Sequence, residues 1–424
     1  MSLRHDQGIE PASRSIQNPG AYMPPVFEAL EQRVLLSAVL AGNLLTITGT
    51  PQADDIMVLD GDAKGDVLLI GVDGVADNTL FSNVNNITIN ALGGNDSVFI
   101  GNNVFDLPGD PINVLINGGG GNDNITGGEG DDTINGGAGN DGITGNDGDD
   151  ILNGNDGDDG IVAGNNDDTV DGGAGNDSID GGGGIDNLMG GSGNDQIIGG
   201  GAADTINGGP GHDDIRGNAG DDTIIGSTGN DIVRGGGGND NLNGGAGNDL
   251  IVGNDGDDIV TGASGNDTIR TQDGNDTVRA GAGNDNINGG DGNNDLRGNA
   301  GSDRITSGTG NDNLLGAGGN DTIHAGSGDD TIRGGSGRDL IYAGVGSDQI
   351  FGDEGNDIIF GEFGEDTIFG GTGNDILHGG RSRDTIFGGA GNDILRGGPG
   401  LFNVLNGGSG TDDIFENLIF IRQD

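Results

Sequence analysis

From Asp123 to Asp393 one residue pattern returns every nine positions without an insertion or deletion, and any fold of this chain has to close on that period. Indexed on its aspartate, the pattern reads G-G-x-G-x-D-x-U-x, with U aliphatic. GGAGNDSID (172–180), GGSGNDQII (190–198) and GGAGNDILR (388–396) are examples. Of 31 index positions, 30 hold Asp, and Asn294 is the exception. The position two residues later is Ile, Leu or Val in all 31. The position two residues earlier is Gly except at Asn166, Ala202 and Ser382. A flexible low-complexity linker would drift out of phase, so the repeat describes an ordered unit.

Each position has a physical reading. Gly tolerates positive φ and close backbone approach, so G-G-x-G is a tight turn. Asp–x–aliphatic–x is a short strand with one side chain pointing in and its neighbours pointing out. One aliphatic per nine residues cannot build a core for an isolated hairpin. Stacked at about 4.8 Å per turn, the aliphatics join into a continuous narrow core. The expected fold is therefore all-β: a solenoid of stacked nonapeptide repeats, each turn contacting its neighbours.

The same stacking lines up the aspartates, and here composition matters. The chain carries 69 Asp plus Glu against 16 Lys plus Arg, a formal charge of −53 in 424 residues. Bare carboxylates about 5 Å apart repel strongly, and such a charge unneutralised favours disorder. Nucleic acid is excluded as a partner, because its phosphates need Lys or Arg and Lys64 is the only lysine. Disulfides and Cys-based zinc sites are excluded by the absence of Cys, and His5, His212, His324 and His378 are too few for zinc. Calcium suits the pattern. It takes six to eight oxygens from carboxylates and backbone carbonyls in a flexible cage, whereas magnesium demands a tighter octahedron. A single GGxGND is more simply a solvated turn; thirty in phase are not.

The motif resembles the RTX, or haemolysin-type, calcium-binding repeat. The resemblance implies a right-handed parallel β-roll or β-helix solenoid in which two nonapeptides make one turn, with loops alternating between two sides. It also implies Ca²⁺ between loops 18 residues apart, held by Asp carboxylates and loop carbonyls. Carried onto this sequence, the first side is Asp123, Asp141, Asp159, Asp177, Asp195, Asp213, Asp231, Asp249, Asp267, Asp285, Asp303, Asp321, Asp339, Asp357, Asp375 and Asp393. The second side is Asp132, Asp150, Asp168, Asp186, Asp204, Asp222, Asp240, Asp258, Asp276, then Asn294, then Asp312, Asp330, Asp348, Asp366 and Asp384. Up to about 29 ions between successive loops follow, a counterion load close to the chain's net charge.

Departures from the pattern gather on the second side. Asn166, Ala202, Asn294 and Ser382 lie there, and so do Ala163, Thr271, Ser307, Ala325 and Ala343 in place of the leading Gly, against Ala280 alone on the first side. The first row is accordingly expected to bind Ca²⁺ more tightly. No aromatic occurs from 123 to 341. Tyr342, Phe351, Phe360, Phe369 and Phe387 then fall three residues after the index, facing outward. They read as cross-strand stacking, or as a Phe351/Phe369/Phe387 contact face for a glycan, a matrix component or a second copy.

The domain reading is a leader or targeting arm at 1–41, disordered or processed; an irregular β extension and cap at 42–117; the calcium-binding roll at 118–416; and a tail or cap at 417–424. FEALEQRVLLSA (27–38) resembles the LEPR-XLL motif of large bacterial repeat and surface proteins, with Gln32 where that motif has Pro. DGDAKGD (60–66) is acidic and turn-like. The apolar run 34–41 is too short to span a membrane. No H-E-x-x-H or complete G-x-S-x-G occurs, and an enzyme is not expected. An ice-binding face would need a regular Thr or Asn array at the variable loop position, which holds Thr only at Thr228, Thr309 and Thr372. The expected function is a secreted calcium-binding repeat protein, structural or adhesive at the cell surface or in the matrix, with a carrier module of RTX exoproteins as the alternative.

Overall fold

The computed structural model describes residues 37–41, 43–60, 68–72, 75–77, 79–81, 84–101, 111–399 and 402–416. The leader through residue 36, with all but the last two residues of the LEPR-XLL-like segment, lies outside them. So do most of the acidic 60–66 turn and the 417–424 tail.

Among the described residues the chain is all strand, without a helix, and its parallel strands stack into a β-solenoid of about 17 turns. Most nonapeptides contribute a six-residue strand, such as Thr133–Ala138 and Gly142–Asp147. Successive strands go to opposite sheets. Thr133–Ala138 pairs with Ile151–Asp156, and Gly142–Asp147 with Gly160–Asn165. The register sets Ile134 against Leu152 and Ile143 against Ile161, 18 residues on. One turn is therefore two nonapeptides, and one sheet follows each row of index residues.

The strand alternation decides the core. From Ile125 to Leu395 every aliphatic two residues after the index is no more than 1% exposed. Burying each contributes about 1.5–3 kcal/mol, and since each contacts only adjacent turns the stability is a sum of local terms. Leu45, Ile47, Ile56, Val58, Ile87, Ile89, Val98 and Ile100 continue the same core. At this end each sheet finishes on antiparallel strands: Ser37–Ala41 on Leu44–Thr48, and Leu68–Val72 on Asp55–Asp60. Hairpins of this kind occupy backbone groups that a bare parallel edge would leave open.

The aromatics stand in two outward ladders. Phe351, Phe369 and Phe387 stack with centroids 5.1 and 5.0 Å apart. The other sheet carries a longer ladder than its aromatics suggested: His324, Tyr342, Phe360 and His378 stack at 4.7, 5.0 and 4.9 Å. The Arg333 guanidinium lies 4.2 Å over the Phe351 ring. The stacked rings are half-buried, and their faces are largely used on one another.

Ile251→Ala tests the local character of the core. It should cost about 2–5 kcal/mol, and hydrogen exchange should show the loss confined to the turns around 233–269. Uniform loss of protection along the roll would contradict a stack of locally stabilised turns.

Candidate metal centre

The index aspartates are buried, each no more than 3% exposed. One carboxylate oxygen is accounted for. The Asp123 amide donates to Asp141 Oδ1 at 2.8 Å, the Asp132 amide to Asp150 Oδ1 at 2.8 Å, and this contact repeats every 18 residues along both rows. The structure thus assembles all thirty predicted aspartates into the two expected rows.

The other oxygen is not accounted for. In every index aspartate except Asp312, Oδ2 is buried with no hydrogen-bond partner. The leading glycine shows where it points. A methyl added at Gly136 would lie 2.5 Å from Asp141 Oδ2 and 3.0 Å from the Gly154 carbonyl oxygen. At Gly370 the same methyl would be 2.5 Å from both Asp375 Oδ2 and the Gly388 carbonyl oxygen. A carboxylate oxygen and a carbonyl oxygen of the next turn therefore share one small space, both acceptors. A buried charge so placed is costly unless a cation or a proton joins it. Among the described residues no three His, Asp or Glu side chains converge on a point, so a bound cation must draw on backbone carbonyls as well. Oxygen-only donors, carboxylates mixed with carbonyls, and a glycine-opened cradle fit calcium.

The remaining loop positions hold this geometry. Gly139 has φ of 125°, and a methyl there would collide with the Gly121 carbonyl of the preceding turn. The second glycine also lies at positive φ, and where it is replaced Asn146, Asn155, Asn218, Asn254 and Asn299 adopt φ of 73–87°, a conformation Asn tolerates. The residue before the index forms a second ladder of opposite polarity. Asn140 N donates to Asn122 Oδ1 at 3.1 Å, and Asn230 N to His212 Nδ1 at 2.7 Å. The frequent Asn-Asp pair therefore serves two ladders.

The rows reach beyond the regular frame. Asp54 N donates to Asp96 Oδ1 at 2.7 Å and Asp96 N to Asp123 Oδ1 at 2.8 Å. Counting by nines places Asp96 above the second row, but strand Ser97–Ile100 pairs with Asn124–Glu129 and sets it on the first. At the other end Asp384 N donates to Asn403 Oδ1 at 2.8 Å and Asp393 N to Asp412 Oδ1 at 3.1 Å. The spacing here is 19 residues rather than 18, and Asn403 takes the index place.

Comparison with known families then decides the class. The RTX calcium-binding nonapeptide repeat matches this chain in eleven overlapping segments from 115–143 to 369–400. The chain belongs to the RTX calcium-binding repeat family. Comparison with curated proteins gives no match. Among solved structures, a mutant of the periplasmic alginate epimerase AlgG is similar at 9% identity, covering 88% of this chain and 84% of that one, with a TM-score of 0.11. That value supports no argument.

Burial dominates the electrostatics of the RTX rows. It raises Asp132, Asp150 and Asp168 to about 7, with repulsion from neighbouring carboxylates adding and the donated amide opposing. On the first row Asp177 and Asp213 rise to about 7 and Asp141 and Asp249 to about 6 for the same reasons. Large shifts occur in both rows alike.

The sign of the pH effect follows. A carboxyl raised in the folded state holds its proton where the unfolded chain, at about 4, has lost it. Without metal the roll is most stable below about pH 4 and loses stability as pH rises through 6–7. The chelated protein should keep its β circular dichroism at pH 5 and lose it at pH 8, and adding calcium at pH 6.5 should release protons. Equal β content at both pH values under chelation would contradict this.

Proposed function

We propose that this RTX protein is a secreted structural or adhesive element whose roll orders when calcium binds along its two aspartate rows. The observation that carries the reading is the long series of buried, partnerless Oδ2 atoms, interrupted in the regular frame only at Asn294 and Asp312, that face the cradles opened by the leading glycines. Thirty index aspartates, from Asp123 to Asp393, supply the carboxylates, and leading-glycine carbonyls the remaining protein oxygens. Calcium contributes charge neutralisation and a bridge between turns, with up to about 29 ions in the regular frame.

Extracellular calcium modules bind typically at about 10⁻⁴–10⁻³ M, and an ion that binds only the folded chain stabilises it by mass action. In a calcium-poor compartment the acidic chain stays expanded and exportable; at millimolar calcium its repeats order into the stacked roll. That logic supports an extracellular setting. Among the described residues no helix is long and apolar enough to cross a membrane. No enzyme family is found, and the matched repeat is a calcium-binding structural unit. An adhesive role would use the ring edges of the Phe351/Phe369/Phe387 ladder, or its Arg333 end, toward a glycan, a matrix component or a second copy. As a carrier module of RTX exoproteins the chain would use the same calcium-driven ordering.

Far-UV circular dichroism during calcium titration at pH 7.5 tests the reading. A cooperative rise in β signal with its midpoint below about 1 mM is expected, with magnesium much less effective. A chain already fully β in chelator, or still disordered at about 10 mM calcium, would refute it.

A further inference from the structure

Along the regular rows no protein donor stands between the index Oδ2 and the carbonyl it faces. Three consecutive turns of the second row are different. At Asn294 the index Oδ1 accepts the Asp276 amide at 2.9 Å, as at any other turn. That contact fixes the side-chain orientation, so Nδ2 occupies the place Oδ2 takes elsewhere. Nδ2 reaches toward the carbonyls of Gly289 and Gly290, at 3.4 and 3.5 Å. One turn earlier Thr271 stands in the leading-glycine place, 0% exposed, and its hydroxyl donates to the same Gly289 carbonyl at 2.9 Å. One turn later Ser307 stands in that place, and its hydroxyl donates to Asp312 Oδ2. Asp312 is the one index aspartate of the frame whose Oδ2 is not left without a partner.

We infer that the second row has a built-in gap from Asp276 to Asp312, where amide and hydroxyl donors replace cations and no calcium is taken up. The inference rests on the reading of the rows as calcium sites. The chemistry is substitution of like for like. Elsewhere two acceptors share the cradle and need a positive partner. Here Asn294 removes one negative charge and aims its own positive end at the carbonyls, and the Thr271 and Ser307 side chains fill the space the leading glycines leave open. A cation entering the spaces on either side of Asn294 would lose an anionic ligand and meet N–H groups instead of oxygen. On the first row at the same level, Asp285 and Asp303 keep partnerless Oδ2 atoms. The two edges of this stretch are thus held differently, one by ions and one by the protein's own hydrogen bonds. The same device closes the first row's N-terminal end, where the Thr50 amide donates to Asp54 Oδ2 at 2.6 Å.

Calcium per chain at saturation, measured on the full-length protein by equilibrium dialysis and elemental analysis, tests this. The triple variant Thr271→Gly, Asn294→Asp, Ser307→Gly restores the regular pattern and should bind about two more ions than the wild type, one on each side of residue 294. Asn294→Asp alone, which leaves both hydroxyls in place, should gain about one and serves if the triple variant does not fold. Asn293→Asp adds the same charge one residue away, on the exposed ladder, and should gain none. Unchanged stoichiometry in the restored variants, with the wild type binding calcium normally, would overturn the gap. A wild type that binds no calcium would instead overturn the reading of the rows themselves.

Discussion

The rest of this structure depends on one electrostatic constraint: a carboxylate is buried at nearly every half-turn, with one oxygen aimed toward a carbonyl of the next turn. Two like-charged rows at about 4.8 Å spacing are unfavourable in a low-dielectric setting. The fold therefore has two stable conditions, protonated or cation-filled, and one unstable condition, bare and ionised. Asp150 and Asp321, both raised to about 7 by burial first and by neighbouring carboxylates second, show how near neutrality that instability sets in. On the proposed reading calcium is a structural counterion rather than an accessory, and a filled pair of rows would offset most of the net charge of −53.

The glycine excess follows from the same constraint. The leading glycine leaves room for the carboxylate and carbonyl oxygens, and the later glycines let the loop turn against the carbonyls of the turn before. Opposing ladders then use up the loop amides, the index aspartate taking one from the preceding turn and the asparagine before it one from the following turn. With the backbone so committed, a single aliphatic per nonapeptide suffices as core, because each is sealed by the turns above and below.

Much of this was legible in the sequence. The nine-residue period and the inward aliphatic at index plus two follow from strand alternation and stacking, and the split of the aspartates into two rows came with the resemblance to the RTX repeat. The separation of Phe351, Phe369 and Phe387 from Tyr342 and Phe360 rests on the same two-nonapeptide turn. What escaped depended on three-dimensional neighbours. Asp96 and Asp54 join the first row through strand pairings across long intervening segments that a count of nines does not register. His324 and His378 extend an aromatic ladder that apolar patterning does not reveal. Thr271 and Ser307 read as lapses from glycine, and only the direction of their hydroxyls shows them supplying donors. The Asn-Asp pair was visible as a motif, but its two opposed ladders require the register between turns.

The central claim is that cations lie in two rows between turns, in the spaces the leading glycines open. Anomalous diffraction from crystals grown in calcium measures this most directly. The account predicts two rows of peaks at about 4.8 Å intervals, one along each edge, each peak between aspartates 18 residues apart. Ordered turns without such peaks, at neutral pH and millimolar calcium, would contradict it.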